Sequence, residues 1–286
     1  MGSPDPALLS INTATLRGQW TLPQIIDGCA RHGIRGISPW RDQVAAAGLA
    51  EVARRIREHG LRVSGYCRGG MFPTLDDVGL RAARDDNRRA VDEALAVGAR
   101  CLVLVVGGLP KDANGAPASR DLGGARTMVR DGIAELLEYS KAVRMPLAIE
   151  PLHPMYAADR ACVNTLSQAL DLCETLAPGD TDSLGVAVDV YHVWWDPQLE
   201  AQIARAGRTR RLFAYHICDW LVPTTDLLND RGMMGDGVID LPLIRSWMEA
   251  AGYDGLHEIE IFSNRWWAED PDLVIQTCKE RHKAYC

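Results

Sequence analysis

The sequence predicts an α/β fold: a single closed (β/α)8 TIM barrel, in which eight parallel strands are each followed by a helix. Three observations lead to this prediction. Short apolar runs alternate with longer stretches of helical periodicity along all 286 residues, as repeated βα units require. The alternation never gives way to a block of strands or a block of helices. The length also suits such a barrel, so we expect one domain spanning residues 1–286.

Eight apolar runs have the length and composition of buried strands. They are ALLSINTAT (7–15), RGISPW (35–40), LRVSGYC (61–67), CLVLVVGG (101–108), LAIEPLH (147–153), LGVAVDVYH (184–192), LFAYHICDW (212–220) and LHEIEIFS (256–263). An open doubly wound sheet is the alternative, but it usually carries a glycine-rich phosphate turn after its first strand. The first strand here leads into NTATLRGQW, which contains no such turn.

Helical periodicity fills the intervals between these runs. The clearest segments are TLPQIIDGCARHG, EVARRIREHG, NRRAVDEALAVGA, GGARTMVRDGIAELLEYSKAVR, NTLSQALDLCETLA and LPLIRSWMEAAGY. The first begins with a threonine N-cap signal before a proline, and the second ends at a glycine in a C-cap position. Two long irregular segments, about 109–119 and 221–240, are expected to be active-site loops.

Composition narrows the class of partner. The chain has 31 basic and 38 acidic residues, a net charge of −7, which argues against binding to nucleic acid or to an anionic membrane. A small molecule is the expected partner. Because we find neither a long apolar span nor a signal sequence, we expect a cytoplasmic protein. The eight cysteines form no CxxC pair and are expected to be reduced core thiols.

Acidic and histidine side chains fall at the predicted C-terminal ends of the last four strands. Catalytic groups of such barrels project from this end. The candidates, one from each strand, are Glu150, Asp189, His216 and Glu260. Three carboxylates and one imidazole suit a divalent ion, Mn²⁺ first, with Mg²⁺, Co²⁺ or Zn²⁺ as alternatives. Such an ion would keep positions open for substrate oxygens.

The last strand offers two candidate ligands. Glu258 and Glu260 are two residues apart and therefore share a face of the strand. We choose Glu260 because it lies nearer the C-terminal end. Glu258 is then expected to lie one layer deeper or to pair with a basic residue. His257 should point the other way and be structural.

Together these residues resemble the xylose isomerase-like barrels, a metal-dependent group of sugar-phosphate isomerases and epimerases that includes keto-inositol isomerase, inosose dehydratase and the tagatose and psicose epimerases. The matching segments are IEPLHP, CVNTLSQALDL, VAVDVYHVWW, AYHICD, DRGMMGDGVIDLP and EIEIFS. The resemblance implies the same four ligands. It also implies isomerisation of a keto-sugar or keto-polyol through a metal-stabilised enediolate, with Glu150 and Glu260 as the acid/base pair. In the D-x-x-H pattern, His192 is expected to orient the substrate.

Further substrate contacts are expected from side chains at or beyond the strand ends, because indole faces pack against sugars and arginines bind hydroxyl or carboxylate groups. These are His153, Trp40, Arg68, Trp194, Asp219, Arg231 and Trp266. Epimerases of this kind often carry an arginine shortly after the histidine of the seventh strand. HICDWLVPT has none, so Arg231 is expected to replace it from the following loop. The sequence shows no phosphate cradle, so we expect a non-phosphorylated carbohydrate.

Two alternatives stay open at this point. The same chemistry supports a lyase or dehydratase, which would dehydrate an inosose or eliminate from a 3-keto glycoside, C-glycosides included. A non-catalytic sugar-binding barrel is the alternative from another class. A nuclease on this barrel would need more histidines and a basic groove, which the seven histidines and the charge of −7 do not supply. The resemblance also implies a homo-oligomer without fixing its size.

Overall fold

Parallel strands form a nearly closed barrel in the computed structural model, which describes residues 2–112 and 114–286. The strand segments are β1 (Leu9–Asn12), β2 (Gly36–Ser38), β3 (Arg62–Val63), β4 (Tyr66–Gly70), β5 (Leu102–Val105), β6 (Leu147–Ile149), β7 (Leu184–Asp189), β8 (Leu212–Ile217), β9 (Asp219–Trp220), β10 (Arg231–Gly232) and β11 (His257–Ile259). The barrel sheet has the order β3-β2-β1-β11-β8-β7-β6-β5-β4, and β9 and β10 form a separate hairpin.

The third predicted strand is present as two short segments. β3 pairs with β2, and β4 pairs with β5, so the two segments are halves of one barrel strand. All eight predicted strands are therefore present, and the predicted barrel is confirmed. Most are shorter than the apolar runs that predicted them. The run 184–192, for example, leaves the sheet after Asp189, whose carboxylate accepts the N–H of Tyr191 and starts a helical turn.

The helices are α1 (Leu22–Arg31), α2 (Arg41–Ala47), α3 (Leu49–Glu58), α4 (Asp77–Val97), α5 (Leu122–Val143), α6 (Leu166–Leu176), α7 (Val190–Val193), α8 (Leu199–Arg208), α9 (Leu241–Ala250) and α10 (Pro271–Tyr285). The six predicted helices are present, whereas α2, α7, α8 and α10 were not predicted. Thr21 is the N-cap residue of α1 as predicted, and Gln24 accepts its backbone N–H. Aspartates cap four other helices by accepting N–H groups of the first turn: Asp76, Asp121, Asp240 and Asp270.

The prediction that segment 221–240 is irregular needs correction. It is not irregular throughout, because β10 lies within it and pairs antiparallel with β9. The hairpin folds this part of the chain back over the C-terminal end of the barrel. It therefore places Arg231, the first residue of β10, above the strand ends.

Small residues fill the barrel interior, and large ones face the helices. Cys67, Cys101 and Val103 pack inside with three alanines, at 148, 187 and 214, whereas the alternate positions carry leucine, isoleucine, valine and tyrosine in the larger core outside. This is the period-2 alternation of a closed sheet. The eight cysteines, all within the described residues, are buried free thiols as predicted. Within residues 2–112 and 114–286, no helix combines the length and apolarity that crossing a membrane requires.

Candidate metal centre and active site

The four predicted ligands converge at the C-terminal end of the barrel. Glu150 directly follows β6, Asp189 ends β7, His216 lies in β8 and Glu260 directly follows β11. One ligand atom from each lies within 4.8 Å of those of the other three, and all four side chains are buried. Three buried acids around one imidazole are costly unless a cation holds them.

The contacts of His216 Nδ1 with two carboxylates do not meet the geometry of hydrogen bonds. His216 Nδ1 lies 3.0 Å from Glu150 Oε1 and 3.4 Å from Glu260 Oε2. Yet among the described residues neither Nδ1 nor Glu150 Oε1 has a hydrogen-bond partner. Two ligand atoms that each lie about 2.1 Å from one ion, at right angles, are about 3 Å apart. The donor set and its unsatisfied atoms therefore fit one divalent ion.

An alanine lies two residues before each of three ligands. Ala148, Ala187 and Ala214 precede Glu150, Asp189 and His216 and pack against one another inside the barrel. Glu258 has the corresponding position before Glu260. The three alanines form a shallow layer beneath the ligands, and this layer leaves room inside the barrel for one long side chain, that of Glu258.

Glu258 lies beneath the ligand cluster and is almost fully buried. Its Oε1 accepts a 2.7 Å hydrogen bond from Asn12 Nδ2, and its Oε2 accepts one of 2.7 Å from Ser64 Oγ. Its Oε1 also lies 3.5 Å from His216 Nε2. His216 is thus flanked by ligand atoms at Nδ1 and by a carboxylate at Nε2. His257 points away, toward His282 at 3.0 Å.

Arg231 links two of the ligands to the cavity above them. Its Nη1 lies 2.9 Å from Asp189 Oδ2 and 3.2 Å from Glu260 Oε2, and the side chain is buried. The guanidinium stacks over the ring of Tyr191, 4.4 Å from its centre. The hairpin therefore places Arg231 at the edge of the ligand cluster.

His192 lies beside the cluster and lines the cavity. Its Nδ1 accepts the backbone N–H of His153 at 3.2 Å, and its Nε2 lies 3.5 Å from Asp189 Oδ2 and 3.2 Å from Arg231 Nη2. Burial lowers the pKa of His192 to about 3. The ring is therefore neutral in the folded protein.

The two glutamates at the top of the cluster have opposite electrostatic environments. Burial raises the pKa of Glu150 to about 7, although His216 acts in the other direction. Burial also favours neutral Glu260, but Arg231 and His216 outweigh it and hold the pKa of Glu260 well below its usual value. Asn12 Nδ2 adds a hydrogen bond of 3.0 Å to Glu260 Oε1.

A small cavity of about 40 Å³ opens above the cluster. Its walls contain predicted residues, namely Glu150, Glu260, His192, Arg231, Trp40 and Arg68. Residues that were not predicted also contribute, namely Val105, Leu152, Tyr156, Arg160, Leu228 and Phe262. Trp40 is fixed there by its Nε1–H, which donates to Asn12 Oδ1 at 2.8 Å, and by an edge contact with Phe262 at 5.3 Å.

Four side chains predicted to bind substrate make other contacts in this structure. His153 stacks on Trp220 at 4.8 Å, and Trp194 lies against the same indole at 5.7 Å. Trp266 is buried beneath Arg265. The Asp219 carboxylate accepts the backbone N–H groups of residues 220, 235, 237 and 239, so it organises the loop after β10.

Some site residues had a signal in the sequence and others had none. Asn12 ends β1 and Phe262 lies two residues after Glu260, so strand position and period could have indicated both. Tyr156 ends a single turn of 3-10 helix after β6 (Pro154–Tyr156), and Arg160 lies in the loop that follows, where no periodicity shows which side chains turn inward.

Comparison with known proteins places this geometry in a family. A family model described as xylose isomerase-like TIM barrel matches residues 26–279. A crystal structure of protein SMc04130 from Sinorhizobium meliloti 1021 is 58% identical, with a TM-score of 0.93 and 99% of each chain covered. An inosose isomerase of Bacillus velezensis is 22% identical over 96% of each chain. The IolI protein, solved with a zinc atom, is 20% identical, with a TM-score of 0.79 over 97% of this chain and 99% of its own. The chain therefore belongs to the xylose isomerase-like TIM barrel family.

Proposed function

We propose that the protein is a divalent-metal-dependent isomerase or epimerase that acts on a keto-sugar or keto-polyol. The observation that carries this proposal is the convergence of three carboxylates and one imidazole, with unsatisfied ligand atoms, at the floor of a small cavity. The family and its inosose isomerase relatives support the reaction type.

The four side chains Glu150, Asp189, His216 and Glu260 would hold the ion. When bound, a divalent ion supplies a Lewis acid that polarises a carbonyl and makes the neighbouring C–H more acidic. Oxygen and imidazole donors favour Mn²⁺, with Mg²⁺ and Co²⁺ as alternatives. The zinc atom of the IolI structure keeps Zn²⁺ among the candidates.

Glu150 and Glu260 are the proposed proton-transfer groups because both reach the cavity. Arg231 and Asn12 hold Glu260 ionised, so this carboxylate starts without a proton. Burial raises the pKa of Glu150 to about 7, which suits this carboxylate to take up and return a proton. His192 and Arg231 would orient substrate oxygens.

The proposal is tested by solvent exchange. The purified protein is incubated in D2O with Mn²⁺ and candidate ketoses, inososes and 3-keto glucosides, and deuterium incorporation at the carbon next to the carbonyl is followed by NMR. We expect exchange that EDTA abolishes and Mn²⁺ restores. Glu150→Gln should abolish exchange, whereas Glu280→Gln, which changes an exposed carboxylate on α10, should not.

The same spectra separate the remaining alternatives. A new enone signal would identify elimination and hence the lyase. Saturable binding of these sugars without exchange would identify a sugar-binding barrel. Full exchange by the Glu150→Gln variant would show that the active site is misplaced. A homo-oligomer and a cytoplasmic location stay predictions.

A further inference from the structure

Two arginines that form no ion pair among the described residues line the same cavity. Arg68 lies in β4 and Arg160 lies in the loop after β6, and both are half-buried in the cavity wall. Within residues 2–112 and 114–286, neither guanidinium has a carboxylate oxygen within the 4.0 Å of an ion pair. The nearby acids are engaged elsewhere, since Asp86 pairs with Arg41 and Asp159 pairs with Lys111.

The two guanidiniums are close enough to affect each other. Burial, and next the positive charge of Arg160, lower the pKa of Arg68. Arg160 is also held over the ring of Tyr156, 5.7 Å from its centre. Like charges in a partly dehydrated wall repel each other, so this arrangement has a cost in the free protein that an anion between them would remove.

The carboxylates of the ligand cluster do not neutralise Arg68 and Arg160. A divalent ion and the Arg231 guanidinium together balance the three carboxylate ligands, Glu150, Asp189 and Glu260. His192 is neutral. The cavity is therefore left with the positive charge of Arg68 and Arg160 when the ion is bound.

We propose that the substrate carries an anionic group, a carboxylate or a phosphate ester, which Arg68 and Arg160 bind while its keto group lies against the ligand cluster. This inference rests on the proposed function for the keto end of the substrate. It narrows the substrate class from neutral sugars to anionic keto-sugars, and it adds a phosphate ester to the expected non-phosphorylated substrates. Paired guanidiniums suit either anion because their N–H groups match two oxygens at once.

Binding of three compounds with one carbon skeleton tests the proposal. The Mn²⁺-loaded protein is titrated calorimetrically with D-fructose, with D-fructuronate and with D-fructose 6-phosphate. We expect at least one anion to bind about tenfold more tightly than D-fructose or better, as one charge-assisted hydrogen bond provides. Tighter binding of D-fructuronate would identify a carboxylate as the anionic group, and tighter binding of D-fructose 6-phosphate would identify a phosphate ester.

Single variants locate the anion site. Arg68→Gln and Arg160→Gln should each remove most of the preference for the anion over D-fructose. Arg265→Gln is the control, because its side chain is 66% exposed at the same end of the barrel, and it should retain the preference. The proposal is overturned if neither anion binds at millimolar concentration, if the anions bind no better than D-fructose, or if both variants keep the preference.

This test is independent of catalysis. Loss of deuterium exchange with an intact anion preference would refute the proposed reaction and keep the anion site. Exchange on neutral ketoses without any anion preference would refute the anion site and keep the reaction.

Discussion

Replacing Glu258 with glutamine should weaken binding of a divalent ion without unfolding the barrel. Glu258 lies under the ligand cluster, with Oε1 3.5 Å from His216 Nε2. When Nδ1 of His216 binds an ion, Nε2 keeps its proton, and the carboxylate stabilises that tautomer. Such partners of metal-binding histidines fix the ring and raise its basicity. Glutamine has nearly the same volume, and it keeps an acceptor for Asn12 Nδ2.

The structure sets the size of the effect. Loss of a partner of a ligating histidine costs about 10–100-fold in metal affinity, and a hydrogen bond to a charged group is worth about 1.5–3 kcal/mol. The His216–Glu258 contact of 3.5 Å is long for a hydrogen bond. We therefore expect the Mn²⁺ affinity of Glu258→Gln to fall by the lower end of this range, about tenfold, which corresponds to about 1.4 kcal/mol. The metal-free variant should be as stable as the native protein or more stable, since a buried charge is removed.

The assay is calorimetric titration of metal-free protein with Mn²⁺, with thermal unfolding of the same samples to show that both fold. Ser64→Ala is the matched control, because it removes one hydrogen bond to Glu258 Oε2 and leaves the carboxylate in place. It should change the Mn²⁺ affinity less than Glu258→Gln does. An affinity of Glu258→Gln equal to that of the native protein would refute the reasoning.

Two further predictions concern Arg231 and the buried histidine pair. Arg231→Gln should slow deuterium exchange about a hundredfold or more, as misplaced catalytic groups do. It should not weaken Mn²⁺ binding, because it removes a positive charge beside the ligands. Unchanged exchange would contradict this role. Burial lowers the pKa of His282 to about 3 and that of its partner His257 to about 4, so the folded state keeps both neutral, whereas the unfolded chain takes up protons near pH 6.5 and acid favours unfolding. Urea unfolding measures the free energy of unfolding at each pH. Between about pH 7.5 and about pH 5, this free energy should fall by about 2 kcal/mol less in His282→Gln than in the native protein. Equal decreases would show that His282 is not the titrating group.

Most of the barrel and the choice of ligands could be predicted from the sequence because two simple rules decide them. Alternation by two residues determines which side chains face the interior, and the C-terminal strand ends determine where catalytic groups collect. Glu150, Asp189 and His216 each follow an inward alanine by two residues. The lengths of the strands could not be read in the same way, since an apolar run continues into a turn when a side chain such as Asp189 caps it.

The choice between Glu258 and Glu260 depends on the tilt of the strands. By hydrogen-bond register, Asp189 lies beside His216 and His216 lies beside Glu258, yet Glu260 is the residue that reaches the ligand cluster. Strands in a barrel are tilted and staggered, so the register does not give the height of a side chain above the barrel floor. Position along the strand pointed to Glu260, but the contacts of Glu258 had no signal in the sequence.

Loop side chains were the least predictable part of the site. Trp194 and Asp219 follow strands as catalytic residues do, yet one packs on Trp220 and the other accepts N–H groups of its own loop. A position after a strand does not fix the rotamer or the path of the loop. For the same reason Arg160 was not predicted, because only the folded loop after β6 places it opposite Arg68.

The most direct test of the metal centre is the number of Mn²⁺ ions that each chain binds. Calorimetric titration of the metal-free protein should give one ion per chain. Asp189→Asn and Glu150→Gln keep the shape of the cluster and remove one anionic ligand each, and neither should bind Mn²⁺ saturably at the same concentrations. Failure of the native protein to bind, or equal binding by both variants, would contradict the assignment of these residues as the metal centre.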